Sequence, residues 1–125
     1  MASLIVTNGP AEGQKFALEG HALVMVGRDA SCTIQVIDPQ LSRFHMQIKY
    51  AAEEKQHYVL DFQSKNGVAL NGKKIDGPAP LKDHDAIGVG ETTLLYVTDD
   101  TLDARHVCDV MKRFGQGHVH TITND

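Results

Sequence analysis

Between Leu4 and Thr98 no stretch of this chain sustains a helical pattern, because every apolar run is cut within a few residues by turn-forming types. Leu4-Ile5-Val6-Thr7 is apolar and β-branched, and Asn8-Gly9-Pro10 stops it with strong turn chemistry. Lys15 to Leu18 ends at Glu19-Gly20, and His21 to Val26 ends at Gly27. Thr33 to Val36, Phe44 to Tyr50 and His57 to Phe62 follow, the last two with the period-two pattern of half-buried strands. That pattern assigns Phe44, Met46, Ile48 and Tyr50 to one face and His45, Gln47 and Lys49 to the other. Val68–Leu70 and Lys73–Ile75 are joined by Asn71-Gly72, and both joining residues tolerate φ > 0. That predicts a two-residue type I′ hairpin. Glu91 to Thr98 closes the series. About ten short strands with glycine-rich turns between them predict an all-β domain, a sandwich or a barrel.

The character changes after residue 98. Leu102, Val107, Val110, Met111 and Phe114 fall mostly three and four apart. Asp99, Asp100 and Asp103 stand at the start of this segment, Lys112 and Arg113 at its end, and Gly115 offers a stop. The expected division is a β domain over 1–98, one terminal helix over 99–115 packed on the sandwich or on a partner, and a mobile tail over 116–125. The helix stripe is also a candidate homodimer contact.

Composition bounds the function classes. A chain of 125 residues with 42% hydrophobic and 22% charged content is expected to form one soluble globular domain. A formal charge of −4 weighs against nucleic-acid binding, which needs many Lys and Arg to neutralise phosphates, but not against one local anion pocket. Cys32 and Cys108 have no metal or redox spacing and read as free thiols. No run approaches the ~18–20 apolar residues of a membrane span, and the N-terminal run is too short for a signal peptide. A cytoplasmic protein with no membrane association is expected.

Three clusters sit in predicted turns, where a rigid β scaffold presents binding groups. They are Gly27-Arg28, Ser42-Arg43-Phe44-His45, and Ser64-Lys65-Asn66-Gly67 with Asn71-Gly72. Their chemistry is that of an anion receptor. Arg28 offers a planar fork of donors, Ser42 a hydroxyl, and Arg43 and Lys65 further positive charge. Asn66 can donate and accept, which suits the backbone of an extended peptide. Gly67 and Gly72 permit tight turns.

Taken in order, Gly27-Arg28, Ser42-Arg43-x-His45 and Ser64-x-Asn66-Gly67-x-x-x-Asn71-Gly72 resemble the signature of forkhead-associated (FHA) domains over roughly residues 3–98. The resemblance implies an antiparallel β-sandwich of about eleven short strands and a phosphothreonine-binding module of kinase signalling rather than an enzyme. It implies that Arg28 and Ser42 bond the phosphate, with Arg43 and Lys65 adding charge, and that Asn66 bonds the peptide backbone. Gly27, His45, Gly67, Asn71 and Gly72 would be structural, with no metal and no cofactor. Two departures stand out: Val68 where threonine is frequent, and His84-Asp85 where Gly-Asp is common.

Competing readings draw on the same residues. Gly67 to Lys74 is one position from a P-loop, but Lys74 cannot replace the Ser or Thr that holds Mg²⁺. Ser42, His45 and Asp61 or Asp85 contain the residue types of a hydrolase triad, without a nucleophile elbow. His118-x-His120 is a close histidine pair with no third ligand nearby. A phosphate-independent interaction or oligomerisation scaffold is the remaining alternative.

Overall fold

The apolar runs become strands in the computed structural model, which describes residues 2–98. The helix expected over 99–115 and the tail over 116–125 lie outside the described residues, as do Cys108, His118 and His120. The strands are β1 (Ser3–Asn8), β2 (Lys15–Ala17), β3 (Leu23–Gly27), β4 (Ile34–Gln35), β5 (Met46–Ala51) and β6 (Gln56–Asp61). They continue with β7 (Ala69–Leu70), β8 (Lys73–Lys74), β9 (Ala79–Pro80), β10 (Asp85–Val89) and β11 (Thr92–Val97). β9 and β10 fall in a stretch where no strand was expected from the residue pattern.

The strands form a six-stranded sheet in the order β2-β1-β11-β10-β7-β8 and a five-stranded sheet in the order β4-β3-β5-β6-β9. All pairings are antiparallel except β3 with β4. Between the sheets lies one apolar core that includes Leu4, Val6, Val24, Val26, Met46, Ile48, Val59, Ile87 and Leu94. Cys32 is a buried free thiol. Burial pushes its pKa up, so it is held as the unreactive thiol.

Register places the loops. Val26 at the end of β3 pairs with Met46 at the start of β5, and Met46 pairs with Asp61 at the end of β6. The segments after β3, before β5 and after β6 therefore emerge at the same end of the sandwich. Asn71 and Gly72 have φ of 52° and 87°, the left-handed pair that the β7–β8 hairpin needs.

The alternation before β5 fails at one point. His45 was assigned to the polar face with Gln47 and Lys49, yet it is fully buried, whereas Phe44 is 39% exposed. Regular β5 pairing begins only at Met46, so the period-two rule does not extend back to His45. The buried ring is tolerated because both its nitrogens find partners inside the protein.

Candidate functional site

His45 is the hub of the loop end. Its Nδ1 accepts the Ser42 N–H at 3.0 Å. The ring proton therefore sits on Nε2, which donates to the Gly67 carbonyl at 2.8 Å. One imidazole thus pins the second signature cluster to the third. The Ser42 hydroxyl in turn accepts the Lys65 N–H at 2.9 Å, which leaves its own proton free to donate outward.

Arg28 is drawn into the same array. Its N–H donates to the Ser42 carbonyl at 3.1 Å, and its Nε donates to the Leu41 carbonyl at 3.1 Å. The Nε bond orients the guanidinium on the 41–42 backbone while the residue stays exposed. Gly27 is required for this approach: a Cβ there would lie 2.1 Å from the Arg43 carbonyl oxygen. That same oxygen accepts the Asp29 N–H at 3.0 Å and the Cys32 thiol at 3.2 Å. The Arg43 backbone thus holds the β3–β4 loop, and its side chain is exposed. Ser31, through its hydroxyl and N–H, holds the Asp29 carboxyl below its ordinary value, so a carboxylate stands beside these arginines.

The third cluster is shaped by its own side chains. The Asp61 carboxylate accepts from the Ser64 N–H and hydroxyl, and the Ser64 oxygen accepts the Gly67 N–H at 2.9 Å. This relay, with Gly67 at φ 81°, turns the chain so that Lys65 and Asn66 are exposed. Asn66 Nδ2 donates to the Gln40 carbonyl at 2.9 Å. Its second amide proton and its Oδ1 have no partner among these bonds. Asn71 stands further off, where its Nδ2 donates to Asp85 and its Oδ1 accepts the Ala86 N–H, both at 2.9 Å. Beside Asn66 opens a cleft of about 610 Å³ lined by residues including Gln40, Gly67, Lys74 and Glu91.

One structural residue escaped the sequence reading. Asp38 is fully buried, and its carboxylate accepts from Gln40 N–H at 2.9 Å, Glu91 N–H at 3.0 Å and the Thr92 hydroxyl at 2.8 Å. It ties the loop carrying Gln40 to Ser42 onto the β10–β11 turn. Asp38-Pro39 reads as ordinary turn chemistry, and nothing local marks partners more than fifty residues away.

This geometry bears on the enzyme readings. Both nitrogens of His45 are committed to backbone groups, and Asp61 bonds Ser64 rather than His45. A Ser–His–Asp relay is therefore not assembled. Gly67 to Lys74 lies in the β6–β7 loop and the β7–β8 hairpin, and no helix follows it among the described residues. No helix among them is long and apolar enough to cross a membrane.

The family model of the FHA domain matches residues 24–90, more than half of the chain. Among curated proteins, FHA domain-containing protein PS1 of Arabidopsis thaliana is 29% identical over 80 residues, which cover 62% of this chain and 5% of that protein. The chain thus spans only a small part of this relative. Among solved structures, the FHA domain of CT664 from Chlamydia trachomatis superposes with a TM-score of 0.73 at 28% identity. The match covers 78% of this chain and 97% of that one. A chain from a structural and functional analysis of phosphothreonine-dependent FHA domain interactions has a TM-score of 0.69 at 20% identity, over 78% of this chain and 96% of that one, and shares the fold.

Proposed function

We propose that this chain, which belongs to the FHA-domain family by its match over residues 24–90, is a phosphothreonine-dependent peptide-binding module. The observation that carries the reading is the Ser42 hydroxyl. It accepts from Lys65 N–H and so presents its own proton outward, on a loop whose carbonyls also hold Arg28. A phosphate dianion docked there meets the guanidinium of Arg28, the Ser42 hydroxyl and the exposed charges of Arg43 and Lys65. Charge-assisted bonds of this kind contribute about 1.5–3 kcal/mol each. Asn66, with one amide proton and its carbonyl oxygen free, bonds the main chain of an extended ligand beside the phosphate. The cleft past Asn66 receives the next residues of that ligand. Phosphothreonine-dependent interactions among FHA domains of the same fold are in keeping with this assignment.

The local pocket also reconciles the function with the overall charge. A chain of net charge −4 gains nothing from a polyanion at large but can hold one phosphate where its cations gather. Titration calorimetry with a library-derived phosphothreonine peptide is expected to give binding that vanishes for the unphosphorylated peptide and weakens for phosphoserine. Arg28→Ala removes the oriented guanidinium and is expected to cost at least about 3 kcal/mol, more than a hundredfold in Kd. Its fold should survive, because the side chain is exposed. Undiminished binding by a folded Arg28→Ala protein overturns the site, and equal binding of both peptide forms overturns the function.

A further inference from the structure

We propose, resting on the phosphopeptide reading, that Lys74 makes the cleft beside Asn66 selective for a ligand that places one acidic side chain there. Lys74 belongs to none of the three signature clusters, and strand register brings it to them. On β8 it pairs with Ala69 of β7, and Ala69 pairs with Gly88 of β10. Leu70, next to Ala69, packs against the core, so Ala69 faces outward. The three residues stand in a row across the sheet, with neighbouring strands about 4.8 Å apart. Two of them are small. The row is therefore a shallow floor with one long, charged side chain at its rim.

The stem of that side chain lies against the third cluster. A Cβ on Gly67 would stand 2.2 Å from Lys74 Cε and 3.1 Å from its Nζ, so the methylenes cross the bare glycine. Gly67 is itself pinned, by Ser64 at its N–H and by His45 at its carbonyl. The ammonium is thus set beside Asn66, the residue proposed to bond the ligand main chain. It makes no hydrogen bond or ion pair with the described residues. A long side chain packed along its stem loses less freedom on meeting a ligand than one that waves in solvent.

The rest of the cleft limits how much negative charge it accepts. Glu91 on the β10–β11 turn also lines this space of about 610 Å³. Its main-chain N–H is held by buried Asp38, which fixes the turn, while its carboxylate is unpaired among the described residues and is not joined to Lys74. One free ammonium and one free carboxylate therefore share the cleft. A single aspartate or glutamate placed at Lys74 gains an opposite charge. An acidic run gains less, because its further carboxylates meet Glu91, and a basic residue at Lys74 is repelled. The matching ligand carries one acid close to its phosphothreonine.

The test is calorimetry of the full chain against phosphothreonine peptides of alanine background, with glutamate or lysine set at each flanking position in turn. At one position the glutamate form is expected to bind about tenfold more tightly than the lysine form, as attraction at an exposed charge becomes repulsion. The difference should fade in about 1 M salt. K74E is expected to reverse the order at that position. K73M, which removes the same charge from the neighbouring exposed lysine, should keep it. K74M, whose side chain still reaches across Gly67, is expected to lose the preference and serves if K74E does not fold. Equal binding of both forms at every position, by a protein that still requires the phosphate, overturns the role of Lys74 and leaves the function standing. A preference that survives in K74E or K74M belongs to Arg28, Arg43 or Lys65 and equally overturns it. Absence of binding to every phosphopeptide overturns the function and this inference together.

Discussion

Single residues at the loop end divide into those proposed to touch a ligand and those that hold the loops in place, and the second group is expected to carry more of the stability. Arg28, Lys65 and Asn66 are exposed, and their loss is expected to remove the proposed binding donors without opening the core. Asp38 behaves in the opposite way. Its buried carboxylate accepts three hydrogen bonds, one within the β4–β5 loop and two that join that loop to the β10–β11 turn. Asp38→Ala strands the Thr92 hydroxyl and the Glu91 N–H, and a buried unsatisfied donor costs about 1–3 kcal/mol. The expected loss is about 3 kcal/mol in a urea titration, followed by tyrosine fluorescence because the chain has no tryptophan. A loss under about 1 kcal/mol would show that water replaces the carboxylate and that Asp38 is not a tie. His45 shows the same division from inside a signature motif: its position resembles that of a catalytic base, but two backbone bonds make it a clamp.

At the level of elements, most of the fold was legible because its signals are local. β1, β3, β5, β6 and β11 each read as an apolar or alternating run bounded by turn residues, and Asn71-Gly72 announced its hairpin. The two strands that were missed lacked those signals for physical reasons. β9 is two residues long and contains Pro80, which an edge strand tolerates and a sequence pattern rejects. β10 opens on Asp85 and contains Gly88, so it is held by β11 and β7 rather than by its own propensity. The candidate site is legible in the sequence only as a proposal. Its donors sit in short motifs, whereas Asp38 acts through partners far along the chain. The turn before β10 also explains one departure from the family pattern. His84 sits at φ 72°, in the left-handed region where glycine is free of strain. Its side chain is 64% exposed and lies 3.2 Å from the Asp83 carboxylate, a contact of little energetic weight. His84→Gly removes about 1–2 kcal/mol of backbone strain and adds about 0.5–1 kcal/mol of unfolded-state entropy. A net gain of about 0.5–1 kcal/mol is expected, seen as a higher urea midpoint at unchanged slope. A lower midpoint would mean that the His84 side chain matters more than its backbone.

Across the whole molecule the two ends of the sandwich carry different chemistry, and pH separates them. Opposite the signature loops, His57 packs against Tyr50 at 4.8 Å between ring centroids, and its Nδ1 shares a 2.7 Å hydrogen bond with the Tyr96 hydroxyl. Burial pushes the His57 pKa below its ordinary 6.5, and burial pushes that of Tyr96 above 10.0. Both shifts favour the uncharged forms in the folded state. For His57 the folded pKa is the lower one, so its contribution is intact above 6.5 and is lost as pH falls through the folded value, where the unfolded chain binds the extra proton. For Tyr96 the folded pKa is the higher one, so its contribution is intact below 10.0 and is lost as pH rises through the folded value. This end of the molecule is therefore expected to add a plateau of stability between these limits. His57→Gln should flatten the acid shoulder below 6.5 in urea midpoints measured against pH, and an unchanged shoulder would assign it to carboxylates instead. The proposed binding end is expected to respond to a different proton. A phosphothreonine loses its second charge below a pKa of about 6, so affinity should fall with pH there through the ligand. His57→Gln should leave that fall in place, because the residue lies at the far end and the two effects add. If His57→Gln moved the pH dependence of peptide affinity as well as that of stability, the two ends would be coupled through the core, and the loop cluster could no longer be treated as a self-contained receptor.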